Sequence, residues 1–202
     1  MKSQNRAYFV ENGMIVINRE LTKLDMFVGN FIDIKGIKEL VNVSKQLPKY
    51  EFWFAGGGAL DSIIKGKNIK NLGFKNPEEL VKLYNQATIC AQPSYREGFP
   101  LVGLEAMACG RAVIATPLGF TEYIENGKDG VIIPSKNEKA LKDAIIDLMT
   151  NIKKRKKLEI NARKKALKFS WDEVAKKYIE VYKKVIAEHK LNSNKNKNND
   201  NK

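Results

Sequence analysis

Two glutamates with seven residues between them mark the stretch Pro93-Ser-Tyr-Arg-Glu97-Gly98-Phe99-Pro100-Leu101-Val-Gly-Leu-Glu105-Ala-Met-Ala-Cys-Gly110. A helical pattern begins near Pro100 and is stopped by Gly110. Free backbone N–H groups at the start of such a helix, together with its dipole, favour an anion. Gly98 allows backbone to approach a ligand closely. The carboxylates fit three arrangements. They can be ordinary surface or first-turn glutamates that favour the dipole. They can be the acid and nucleophile of a glycosidase, which need carboxyl groups roughly 5–9.5 Å apart. They can also hold two ends of one extended ligand. Eight helical residues rise about 12 Å, which suits the extended ligand better than two groups flanking one bond.

Such a site needs a scaffold, and the chain alternates apolar runs with helical patterns. Runs at 25–29, 51–55, 68–74, 88–92, 112–116 and 130–133 read as strands. Helices are expected from Lys35 to Leu47, from Asn76, and from Pro100 to Cys109. Asn76-Pro77-Glu78-Glu79 has the form of a capping box, as do Ser135–Glu138 and Ser170–Glu173. In the last helix Val174, Tyr178, Val181, Tyr182 and Val185 share a face. The alternation predicts an α/β, Rossmann-like, doubly wound parallel sheet of about six strands with flanking helices. In such sheets ligands lie beyond the carboxyl ends of the strands. That directs attention to the loops 29–35, 56–58, 74–76, 94–100 and 117–121.

Composition narrows the function classes. The chain has 202 residues, 43% hydrophobic and 29% charged, the profile of one globular domain. No membrane-spanning run or signal peptide is evident, so a cytoplasmic location is expected. Cys90 and Cys109 lack metal or redox spacing and read as buried, reduced, small hydrophobes. The single histidine, His189, makes a histidine catalyst or a His/Cys metal site a poor fit. The net charge of +13 is densest at Lys153-Lys154-Arg155-Lys156-Lys157. That cluster reads first as a solvated face and second as a peripheral contact for an anionic membrane; nucleic acid is not expected, since charge alone would support it. Gly56-Gly57-Gly58 lacks the third glycine of a dinucleotide fingerprint, and Gly66-Lys67 is followed by Asn68, so there is no P-loop. Residues 191–202, rich in Asn and Lys, are expected to be disordered.

The stretch from Glu97 to Gly110 resembles the Glu-x7-Glu signature of the family 4 glycosyltransferases. Neighbouring words agree in order: Val28-Gly29 with Lys35-Gly36, then Gly56-Gly57-Gly58, Leu72-Gly73-Phe74, Ala112–Thr116, Gly119–Glu122 and Ser170-Trp171. The resemblance covers roughly residues 25 to 186. It implies one half of a GT-B fold, the nucleotide-sugar-binding half, as a domain at 25–190 after an entry segment at 1–24. It implies a UDP- or GDP-sugar as donor substrate, no metal or other cofactor, and hexosyl transfer with retention to a glycan or lipid-linked acceptor. Lys35 and Glu97 would be catalytic. Gly29, Asn30, Phe74, Gly98, Phe99, Pro100, Leu101 and Glu105 would bind substrate. Within that set Lys35 would meet the diphosphate, Glu105 the ribose hydroxyls, and the Gly73-Phe74 loop the base.

Two departures qualify the resemblance. Asn30 stands where the family has an arginine, and an amide offers no charged bidentate fork. The acceptor half also has no counterpart here, since about 24 residues precede the first strand. The expectation is therefore a separate acceptor-domain subunit or self-association. The rival expectation is a non-catalytic nucleotide-sugar-binding module, either a remnant or one subunit of a split transferase.

Overall fold

The computed structural model describes residues 24–199, with side chains through residue 189. The expected entry segment lies outside the described residues except for Leu24, which opens the first strand. Six strands form one sheet: β1 (Leu24–Asn30), β2 (Glu51–Gly57), β3 (Ile69–Gly73), β4 (Ile89–Gln92), β5 (Ala112–Ala115) and β6 (Val131–Ile132). The helices are α1 (Ile37–Gln46), α2 (Pro77–Gln86), α3 (Leu101–Ala108), α4 (Glu138–Thr150), α5 (Ile152–Ala166) and α6 (Trp171–Asn199). All pairings in the sheet are parallel.

Strands covered on both faces must be apolar along their whole length. Every residue of β4 and β5 is buried, as are the first five of β1. On one face Phe27, Phe31 and Phe54 meet with ring centroids 6.0–6.3 Å apart. The helical faces of α1 and α4 add Ile37, Leu40, Val41 and Val43, and Leu141, Ile145, Leu148 and Met149.

The strand order is β3-β2-β1-β4-β5-β6. The chain winds outward from β1 to β3, then returns to lay β4 on the other side of β1. This reversal opens a crevice at the carboxyl ends of β1 and β4, where ligands of doubly wound sheets bind. The loops after Asn30 and after Gln92 therefore emerge side by side.

Local chemistry fixes the helix starts. Asn76 accepts from the Glu79 N–H at 2.9 Å while the Glu79 carboxylate accepts from the Asn76 N–H at 2.9 Å, completing the capping box. The box expected at Ser135–Glu138 does not form. Lys136 takes a left-handed φ of 56°, so Asn137 becomes the cap and accepts from the Ala140 N–H at 2.9 Å. The Glu138 carboxylate instead accepts from Asn42 at 2.8 Å. At the last helix Ser170 Oγ accepts from the Glu173 N–H at 3.3 Å, and the Glu173 carboxylate pairs with Lys176.

The chain divides into two compact units, one ending at Leu167 and one beginning at Lys168. The second is α6, taken by itself. Tyr178, Val181, Tyr182 and Val185 are exposed on it. Its helical backbone runs through Asn199, into the segment expected to be disordered. Propagating a helix adds one hydrogen bond per residue fixed, so a helix can outrun its last apolar side chain.

Cys90 and Cys109 are both buried, and burial pushes the Cys90 thiol well above its usual range. The basic cluster is not uniform. Arg155 donates to the Leu148 carbonyl at 2.7 Å and pairs with Glu159, and Lys154 pairs with Asp147. Lys153, Lys156 and Lys157 are exposed on α5. Among the described residues no helix is long and apolar enough to cross a membrane.

Candidate functional site

The loop after β1 turns through a short 3-10 segment, Asp33–Lys35, and ends at Gly36 with φ 69°. A Cβ on Gly36 would lie 2.2 Å from the Pro93 carbonyl oxygen, so a larger residue would push the loop after β4 away. The two loops are joined again where the Tyr95 N–H donates to the Ile34 carbonyl at 2.6 Å. The Tyr95 hydroxyl donates to the Glu39 carboxylate. Burial and that carboxylate hold the Tyr95 phenol far above its ordinary pKa, so it stays a donor. The Thr116 hydroxyl donates to the Ser94 carbonyl and ties in the loop after β5.

These contacts set Lys35 against Glu97. Lys35 Nζ lies 2.5 Å from Glu97 Oε1, with the side chains 21% and 12% exposed. Partial burial screens such a pair less than a surface pair. Behind Glu97 runs the loop after β5. Gly119 adopts φ 81°, and a Cβ there would fall 2.8 Å from the Glu97 Cβ. Gly98 and Phe99 are exposed, and α3 begins immediately after Pro100. No side chain caps the first turn of α3, and no acidic residue lies in it. Its first N–H groups therefore have neither an intrahelical acceptor nor a capping side chain, and remain as donors at the start of the helix.

Glu105 lies on the second turn of the same helix and is partly exposed. Tyr84, fully buried on α2, places its hydroxyl 3.3 Å from Glu105 Oε2. Leu101 is partly buried and Pro100 buried; the Pro100 carbonyl accepts from the Tyr123 hydroxyl at 2.6 Å. Phe99 packs edge-on against Tyr123 with centroids 5.3 Å apart. Gly29 and Asn30 end β1, with the Asn30 side chain exposed. Phe74 follows β3, two strands away from β1, and is 76% exposed. Its ring leans on Gly57, where a Cβ would come within 2.6 Å of it.

Lys35 and Glu97 are thus brought into contact, and Glu105 shares the helix that Glu97 precedes. Phe74 stands apart at the β3 end of the crevice. Sequence reasoning did not single out Tyr84, Tyr95, Thr116 or Tyr123. Tyr84 falls on the inner face of an amphipathic helix, where an aromatic residue reads as packing, and nothing local shows which group its hydroxyl meets. Among the described residues no group of three or more His, Cys, Asp or Glu is placed to hold a metal ion.

The assembled features are a cation, a row of backbone donors and two carboxylates, Glu97 on the loop before α3 and Glu105 on the helix itself. Such a set can hold a diphosphate at one end and hydroxyl groups at the other. Comparison with known proteins identifies the family and the fold. The family model described as glycosyl transferases group 1 matches residues 18–165. The N,N′-diacetylbacillosaminyl-diphospho-undecaprenol alpha-1,3-N-acetylgalactosaminyltransferase of Campylobacter jejuni is 30% identical over 195 residues, covering 92% of this chain and 50% of that protein. Among solved structures, sucrose-phosphate synthase from Thermosynechococcus elongatus aligns at TM-score 0.75 with 28% identity, over 81% of this chain and 45% of that one. HepE of Anabaena, solved in complex with UDP and glucose, shares the fold at TM-score 0.70 and 20% identity, over 80% of this chain and 48% of that one. The chain spans about half the length of the curated relatives it matches. Its sheet is one half of a GT-B fold, and the chain belongs to the group 1 glycosyl transferases, the family 4 enzymes that its motifs resemble.

Proposed function

We propose that these residues bind the nucleoside-diphosphate sugar for a retaining hexosyltransferase. The observation that carries this is the contact of Lys35 with Glu97 beside the uncapped start of α3, with Glu105 further along that helix. Lys35 and the first N–H groups of α3 take the diphosphate and stabilise the charge that builds on it as the sugar leaves. Glu97 and the backbone of Gly98, Phe99, Pro100 and Leu101 hold the sugar and its neighbouring phosphate. Glu105 accepts from the ribose hydroxyls, and the Gly73-Phe74 loop borders the base. Gly29 and Asn30 complete the wall beside Lys35. The UDP in the HepE structure supports a uridine donor, and the Campylobacter relative's name supports a lipid-linked acceptor.

Asn30 favours a second reading, a non-catalytic nucleotide-sugar-binding module. A neutral amide supplies less leaving-group stabilisation than a guanidinium. Titration calorimetry with UDP and GDP tests the nucleotide site that both readings share. One of the two should bind, and Lys35→Ala should weaken it by about 1.5–3 kcal/mol, the scale of a hydrogen bond to a charged group. Folded chain that binds neither nucleotide, or binds as well with Ala at position 35, overturns the assignment.

A further inference from the structure

Glu105 is useful as an acceptor only if its carboxylate is held in one orientation. An unanchored glutamate side chain on a helix surface samples several rotamers, and fixing it on ligand binding costs entropy. The helix that carries it is met by two tyrosine hydroxyls, one at each end of the proposed site. Tyr123 donates to the Pro100 carbonyl at 2.6 Å, just before the first turn. Gly103 makes room for it, since a Cβ there would fall 2.2 Å from the Tyr123 hydroxyl. Tyr123 thus grips backbone at the phosphate end of the site.

Tyr84 approaches the other end. Its ring is fully buried, and its hydroxyl lies 3.3 Å from Glu105 Oε2 and 3.4 Å from the Val102 carbonyl. Of the two, only the Glu105 contact is to a side chain in the proposed site. Burial, followed by the charge on Glu105, drives the Tyr84 phenol well above its usual pKa, so its proton stays available to donate. Both distances exceed the usual hydroxyl–carboxylate value. A neutral phenol that donates to Oε2 restrains the carboxylate's rotamer without cancelling its charge. A carboxylate carries several acceptor lone pairs, so this one contact is compatible with a ligand that offers paired hydroxyls.

We propose that Tyr84 is a positioning residue for ribose recognition, acting through Glu105 from beneath the site. This rests on the assignment of Glu105 to the ribose of a nucleoside diphosphate. Tyr84 touches no part of the ligand and contributes only the orientation of the group that does. Tyr123 serves as the internal comparison: its hydroxyl donates to backbone, at the Pro100 carbonyl, whereas Tyr84 meets the Glu105 carboxylate itself.

The test measures discrimination, which a purely structural role would not change. Calorimetry compares UDP with 2′,3′-dideoxy-UDP, and GDP with its dideoxy analogue, on wild type, Tyr84→Phe, Tyr123→Phe, Glu105→Gln and the Tyr84→Phe/Glu105→Gln double variant. Thermal melts on each establish that the fold persists. For whichever base binds, Tyr84→Phe should weaken the ribonucleotide roughly fivefold, the scale of one ordinary hydrogen bond, and leave the dideoxy analogue unchanged. In the double variant the Tyr84→Phe change should add nothing to Glu105→Gln. Tyr123→Phe should weaken both ligands alike. If Tyr84→Phe weakens both ligands equally, or neither, while wild type still prefers the ribonucleotide, the role given to Tyr84 is wrong and Glu105 keeps its own. If wild type binds both forms equally, the ribose assignment of Glu105 fails and takes Tyr84 with it.

Discussion

The two ends of the sheet treat a carboxylate in opposite ways. At the carboxyl ends of the strands Glu97 sits on a loop, partly open, with a lysine 2.5 Å away. At the amino ends Asp25, in β1, is 1% exposed. Its Oδ1 accepts from the Ala91 N–H at 3.0 Å, while its Oδ2 has no hydrogen-bond partner among the described residues. Burial raises the Asp25 pKa from 3.8 to about 7, opposed in part by the amides of Ala91 and Met26. Arg111 is equally buried, donating to the Cys109 and Ala87 carbonyls at 2.9–3.0 Å. Polar groups at this end are enclosed by strand starts and helix ends, and they meet backbone. Those at the other end lie on loops that diverge from the switch point, and they remain within reach of a ligand. Burial alone therefore does not mark a functional charge here. What distinguishes the site is partial burial combined with a counter-charge on a neighbouring loop.

The largest expected effect tests whether the carboxyl end suffices by itself. These 202 residues, assayed as a monomer with a labelled nucleotide sugar and a broad acceptor panel, should bind donor yet transfer negligibly. The contacts proposed here are to the donor, and holding two substrates in register is worth roughly 7–11 kcal/mol in favourable cases. Robust turnover that disappears in Glu97→Ala would show that one wall is enough and that a separate acceptor-domain subunit or self-association is not required.

The next effect concerns the amino end. A carboxyl group whose pKa is higher in the folded than in the unfolded state favours folding when protonated. Its contribution is complete below the unfolded value, 3.8, and is lost as pH rises through about 7. Between those limits the Asp25 term should fall by about 1.4 kcal/mol per pH unit. Urea unfolding at intervals from pH 5 to pH 7 should show Asp25→Asn with a shallower decline than wild type. Parallel slopes would place the buried proton elsewhere and remove the contrast between the two ends.

The smallest effect asks whether functional charge lies outside both ends. Replacing the exposed Lys153, Lys156 and Lys157 with Gln should lower co-sedimentation with anionic vesicles, by roughly fivefold per lysine if each contributes as a surface-bound lysine does. Lys154 and Arg155 are kept, because their partners Asp147, Leu148 and Glu159 tie α5 to α4 and to itself. Unchanged sedimentation assigns this face to solvent and leaves the carboxyl end as the ligand-facing surface.

Strands, their parallel pairing and the loops that face the crevice were legible because apolar runs alternate with helical periods. The Asn76 capping box was legible because cap and partner lie three residues apart. The Ser135 box was not, since the left-handed Lys136 moves the start of α4 and no local pattern announces it. Lys35 and Glu97 were each identified, but their contact spans 62 residues and depends on the strand order. The tyrosine hydroxyls were hidden for a similar reason: periodicity reports which face is buried, not which polar atom it meets.

Gly36 pressed against Pro93 has a consequence for how such a site can diverge. The loop that carries Lys35 and the loop that carries Glu97 share a backbone contact with no room for a side chain. Neither can be lengthened, shortened or redirected without disturbing the other. Change is then channelled into side-chain exchange on a fixed frame, at exposed positions such as Asn30, Phe74 and Phe99. The frame restricts which variants are tolerated, and in doing so it concentrates inherited change on the side chains proposed to meet the donor.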